Sequence, residues 1–101
     1  MSAEMFYEDL VSNYENDLQL LQDDEKLVPF YYMSSGDAIV VNDIGYSNSD
    51  LIWFHGFDSE QQSCVILVHV ASAHLVLKVV KLQEAEERMM IGFRGLRDTR
   101  H

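Results

Sequence analysis

The stretch Ser63–Leu82, SCVILVHVASAHLVLKVVKL, does most to limit what this chain can fold into. Two runs rich in β-branched residues, CVILV and LVLKVV, flank the small and polar segment HVASAH. Each run has the length and propensity of a strand, and the small residues between them suit a tight reversal. The stretch therefore predicts the last two strands of a small, strongly bent sheet.

The rest of the chain fits that frame. Tyr7, Val11, Tyr14, Leu18 and Leu21 recur at four-and-three spacing, with Phe6 and Leu10 widening the stripe, which predicts an amphipathic helix over 2–22. Ser2 suits its N-cap, and Glu4, Glu8 and Asp9 suit the positive end of its dipole. The polar run QDDEK at 22–26 ends the helix, and Pro29 prevents its continuation. Strands are expected from about 29 to 82: the aromatic run Phe30–Met33, then Ala38–Ile44, Leu51–Phe57 and the two final runs. The turn signal Ser34–Asp37, the loop Gly45–Asp50 and the polar turn Asp58–Gln62 separate them. A helix followed by five short strands with hairpin-length connections predicts a mainly β α+β fold. Its antiparallel meander is expected to curl into a small barrel.

The stretch 83–101 reads as a C-terminal tail. Its segment Met89–Arg97, MMIGFRGLR, suits an extra edge strand of this molecule or a neighbour, or a mobile end. A chain of 101 residues, 48% of them hydrophobic, makes a single domain. Such a domain buries roughly two-thirds of its unfolded surface. The formal net charge is −10, unevenly placed. Met1–Leu77 carries thirteen acidic residues against one basic, Lys26, whereas Lys78–His101 carries six basic and four acidic. One cysteine, Cys64, excludes an internal disulfide and fits a reducing compartment. The start lacks a basic-then-apolar leader pattern, and no apolar run approaches a membrane span. The expected setting is soluble and cytoplasmic, with no membrane contact.

A helix followed by five bent strands resembles the Sm-like family, the LSm and Hfq-like proteins. The segment Leu67–Val76, LVHVASAHLV, is similar to the place where a strand of that family ends in a basic–histidine pair and enters a tight turn. Here His69 stands where the family pattern has its lysine, and Val70 where it has its histidine. His55–Asp58, HGFD, also resembles the G-F-D that closes a strand in Sm proteins, but in a conflicting register. The HVASAH register accounts for all five strands and is preferred. The arginine–glycine pair of eukaryotic Sm proteins is absent from Val70–His74, and the one Arg-Gly is Arg94–Gly95. The chain is also similar to small Sm-like proteins of marine viral (phage) origin. The resemblance implies a homo-oligomeric ring in which the fourth strand of one subunit pairs with the fifth of the next. Physical reasoning agrees, because Val65, Leu67, Val76, Val79 and Val80 give the last two strands more apolar surface than one helix covers.

The resemblance brings Asn48, His69, Ser72 and His74 near a central pore, where amide, hydroxyl and imidazole groups suit unpaired bases. Read from composition alone, the same residues are polar turn residues. Arg94, Arg97 and Arg100, with Arg88, suit phosphate contact or a solubilising tail, and Phe93 suits base stacking. Trp53 and Phe54 face opposite sides of their strand, one toward the core. Cys64 shares a face with Ile66 and Val68 and reads as core, and His69 falls on the other face. No metal-ligand spacing occurs, and Cys64, His55 and His69 lack an orienting partner, so catalytic residues, metal and cofactor are all read as none. The acidic pairs Asp23–Asp24 and Glu86–Glu87 read as solvated charge. The function expected is a non-enzymatic ring binding single-stranded RNA or DNA. The alternative is an acidic module that binds a protein partner and no nucleic acid.

Overall fold

In the computed structural model, which describes residues 1–97, one α-helix and six strands form around a single apolar core. Helix α1 spans Ala3–Gln19, and the Ser2 hydroxyl caps it by accepting the Met5 N–H at 3.1 Å. It ends earlier than the sequence predicts, with Leu20 as the C-cap before the polar run. Ala3 and Tyr14 are buried, and Phe6, Tyr7, Leu10 and Leu18 of the predicted stripe pack against the core.

The strands are β1 (Glu25–Tyr32), β2 (Ala38–Tyr46), β3 (Leu51–Phe57), β4 (Ser63–His69), β5 (Val76–Lys81) and β6 (Gly92–Leu96). They form one sheet in the order β4-β3-β2-β1-β5, and β6 joins β2 in parallel. The class is therefore mainly β α+β, as the sequence predicts. β1 starts at Glu25, ahead of Pro29, because Glu25–Phe30 pair with Lys81–Val76 of β5. The strands β1 to β4 form the expected meander, but β4 and β5 are not neighbours. A 3₁₀ turn at Val70–Ser72 begins a short link that carries the chain from one edge of the sheet to the other. Seven residue steps separate His69 from Val76, so the ends of the two outer strands lie within about 25 Å.

The bend is local and has a visible cause. β1 pairs with β2 only at Phe30–Tyr32, opposite Val40–Ala38. The register of β2 then shifts between Val41 and Asp43, a bulge at Asn42. Beyond it, β1 leaves to run along β5, and β6 takes the vacated side of β2 from Asp43 to Tyr46. The tail thus supplies an extra strand to this molecule, paired with β2 alone among the described residues. The expected small barrel does not form, and the sheet stays open. The bend opens a fork between β1 and β6 and does not bring β4 and β5 together, and each outer strand has one paired side among the described residues.

The inner face carries the core, with Ile39, Ile44, Ile52 and Phe54 fully buried. Strict alternation along β4 puts Cys64, Ile66 and Val68 half-buried on this face, with Ser63, Val65, Leu67 and His69 exposed on the other. The tail is part of the same core: Ile91 is buried, and Phe93 meets Tyr7 and Tyr14 edge-on at 5.8 and 5.6 Å. Trp53 faces the outer side over Gly45, where a Cβ would stand 2.5 Å from the indole ring, so only glycine fits. No described helix is long and apolar enough to cross a membrane.

Candidate functional site

The β2–β3 loop and the link after β4 meet at one end of the sheet. The Val70 N–H donates to the Asp50 carbonyl at 2.7 Å, and Leu51 lies opposite His69 across the β3–β4 ladder. The loop is itself fixed by Asn48, whose Oδ1 accepts the N–H groups of Asp50 and Leu51 at 2.8 and 3.1 Å. Asn48 is itself an exposed residue. His69 caps the 3₁₀ turn, its Nδ1 accepting the Ala71 N–H at 3.0 Å, and Ser72 is exposed within that turn. The Arg97 N–H donates to the Tyr46 carbonyl at 2.7 Å, and its guanidinium lies 5.8 Å from the Trp53 ring centre. Asn48, His69, Ser72 and Arg97 thus share one end of the sheet.

The other expected site residues lie elsewhere. His74 stacks on Tyr31 at 4.5 Å, and its Nε2 lies 3.1 Å from the Tyr32 carbonyl, beside the end of β1. Arg94 is already engaged by Asp43, its Nε and a terminal nitrogen lying 2.9 and 2.8 Å from Asp43 Oδ1. Arg100 lies outside the described residues. Arg88 is committed to main-chain carbonyls of Gln22 and Glu25, both at 2.7 Å.

Sequence reasoning missed two features of the outer face. In one, Lys78 lies over the paired rings of Phe30 and Tyr32, 5.1 and 5.5 Å from their centres. In the other, His55 links two strands: its Nδ1 is 3.0 Å from Asp43 Oδ2, and its Nε2 is 2.9 Å from the Ser63 hydroxyl. Burial pushes the Asp43 carboxyl up, but the hydrogen bonds and charges of His55 and Arg94 outweigh this and hold it below the ordinary carboxylate range. The alternation of β3 places His55 beside Trp53 and Phe57, but only the strand register reveals its partners. Burial, followed by the charge of Asp58, pushes the Cys64 thiol up, so that sulfur stays protonated and unreactive.

A cavity of about 380 Å³ fills the fork between β1 and β6, over β2, lined by Leu27, Pro29, Val41, Met89 and Met90 among others. The Lys26–Glu86 ion pair sits at its rim, and the Gln83 N–H together with Lys26 lowers the Glu86 carboxyl below its ordinary value. Among the described residues, no three His, Cys, Asp or Glu side chains are grouped to hold a metal ion. Comparison with protein-family models, curated proteins and solved structures returns no match to this chain.

Proposed function

We propose that copies of this chain pair β4 to β5, edge to edge, into a closed Sm-like ring that holds single-stranded nucleic acid at its loop end. One observation carries this reading: among the described residues, the two outermost strands are both unpaired on their far sides, and both carry exposed apolar side chains. Val65 and Leu67 on β4 are 58% and 55% exposed, and Val79 on β5 is 57% exposed. Open edges with apolar side chains invite another strand, and cyclic repetition of one heterologous contact closes both of these outer edges. Asn48, His69, Ser72 and Arg97 then recur once per subunit around one end of the ring. Their amide, imidazole and guanidinium groups suit unpaired bases and phosphates. The acidic body opposes nonspecific binding to polyanions, which confines contact to that end.

Light scattering tests the assembly, and a defined closed oligomer is the expected result. Filter binding to poly-U, poly-A and single-stranded DNA across a salt series tests the ligand. Phosphate neutralisation makes log affinity fall linearly with log salt. A stable monomer removes the ring, and no binding at low salt removes the nucleic acid.

The charge supports a second reading, an acidic module that docks a basic protein. Glu4, Glu8, Asp9, Glu15 and Asp17 are all exposed on α1, which has no basic residue in its last turn. Capture of a protein that survives nuclease treatment, alongside absent nucleic-acid binding, favours this reading.

A further inference from the structure

Four strands each place one polar side chain on the outer face in a continuous row: Arg94 of β6, Asp43 of β2, His55 of β3 and Ser63 of β4. Asp43 lies directly opposite His55, and Ser63 lies opposite Phe57, one diagonal step further along. The hydrogen bonds fix where the protons sit. An ionised Asp43 can only accept, so His55 Nδ1 must carry the hydrogen. In a neutral imidazole Nε2 is then bare, and it accepts the Ser63 hydroxyl proton at 2.9 Å. Arg94 occupies the other oxygen of Asp43, which leaves Oδ2 committed to His55. A hydroxyl bonded to an imidazole that a carboxylate orients is the arrangement that activates serine for acyl transfer.

We propose that Ser63 is a nucleophilic serine that takes the acyl group of small activated esters. In the first step, the Ser63 Oγ bonds to the ester carbonyl carbon while its proton passes to His55 Nε2. The bond from that carbon to the leaving oxygen then breaks, and the leaving oxygen collects the proton from Nε2 as an alcohol or phenol. Water, deprotonated by the same Nε2, next bonds to the acyl carbon; the bond from that carbon to Ser63 Oγ breaks, the Oγ takes the proton back from Nε2, and the acid is released. The sum is ester plus water giving acid plus alcohol, with no other reactant. Ser63 is exposed at the start of β4, and the His55 side chain is 29% exposed, so a small ester reaches both. Phe57 and the exposed Val65 border the hydroxyl on the same face and offer an apolar rest for a short acyl chain. The site is open to water rather than enclosed, which suits esters with good leaving groups and not amides. Cys64 does not compete, since it faces inward and its thiol is held protonated. None of this depends on ring formation or on nucleic acid.

The test is covalent labelling by a fluorophosphonate probe, located by peptide mass spectrometry, with p-nitrophenyl acetate turnover as the second readout. The full chain is expected to label at Ser63, with Ser63→Ala unlabelled and equally folded by circular dichroism. His55→Gln keeps hydrogen-bonding capacity but cannot take a proton, so labelling there is expected to slow by about 10² or more. Equal labelling of wild type and His55→Gln, or an adduct at any other residue, overturns the proposal.

Discussion

Gly56 offers a sharp test of how the sheet is packed. It lies opposite Val41 in the β2–β3 ladder, beside the bulge that bends β2. A Cβ added there would overlap the Val40 carbonyl oxygen, and would stand 2.8 Å from the carbonyl carbon and 3.0 Å from Val41 Cα. These are main-chain atoms and cannot rotate aside, so Gly56→Ala must push β2 off β3. Such overpacking costs about 1–3 kcal/mol, and the backbone obstacle places it toward the upper end. The lost flexibility of the unfolded chain returns about 0.4–1 kcal/mol, for a net loss of about 2 kcal/mol. At about 4–8 °C per kcal/mol for a domain of this size, the melting temperature should fall by about 8–16 °C. Thermal melts followed by far-UV circular dichroism and by fluorescence of the sole tryptophan, Trp53, measure this. Gly36→Ala is the control: its φ is +93° and its surroundings are open, so only backbone strain of about 1 kcal/mol is at stake. A Gly56→Ala melt within about 3 °C of wild type, well inside the expected shift, would refute the packing argument.

Three further perturbations probe the tail, the polar row and the outer strands. Tyr14→Phe removes the hydroxyl that accepts the buried Ile91 N–H at 3.2 Å, and should cost about 1–3 kcal/mol in urea melts while amide exchange at Ile91 speeds up. Asp43 has a lowered carboxyl pKa in the folded chain, so it adds stability that is full above its ordinary value of 3.8 and fades as pH falls through the lower folded value. Asp43→Asn should therefore be less stable than wild type at pH 7, with the gap in urea midpoint closing below about pH 4. Val79→Lys, at a position 57% exposed on β5, should leave the melting of the isolated subunit within about 0.5 kcal/mol yet lower the mass seen by light scattering.

Local signals in the sequence located most elements. Ser2 marked the helix start, strand alternation gave Leu51–Phe57 with both bounds correct, and the β-branched runs found β4 and β5. What stayed hidden depended on partners distant in the chain. Glu25 and Lys26 look like a helix-ending polar run, and they become strand only because β5 returns to pair with them. Met89–Arg97 reads as an edge strand or a mobile end, and what the sequence hides is the partner: β2 recruits Gly92–Leu96 where β1 has turned away. The site divides the same way. Asn48, His69 and Ser72 share one loop end because neighbouring strands bring them there, but Arg94 is diverted to Asp43 and His74 to Tyr31 and Tyr32. The row from Asp43 through His55 to Ser63 needs the register of three strands at once, which no single stretch encodes.

The parallel pairing of β6 on β2 also dictates an order of events during synthesis. Gly92 pairs with Asp43, so the central strand waits for residues made much later before its inner side is closed. Contacts this distant along the chain form slowly, and until they do a nascent subunit displays a raw ladder edge in its middle as well as at its rims. A product cut short before Gly92 would keep that third edge permanently, and aggregation rather than orderly assembly is its natural fate.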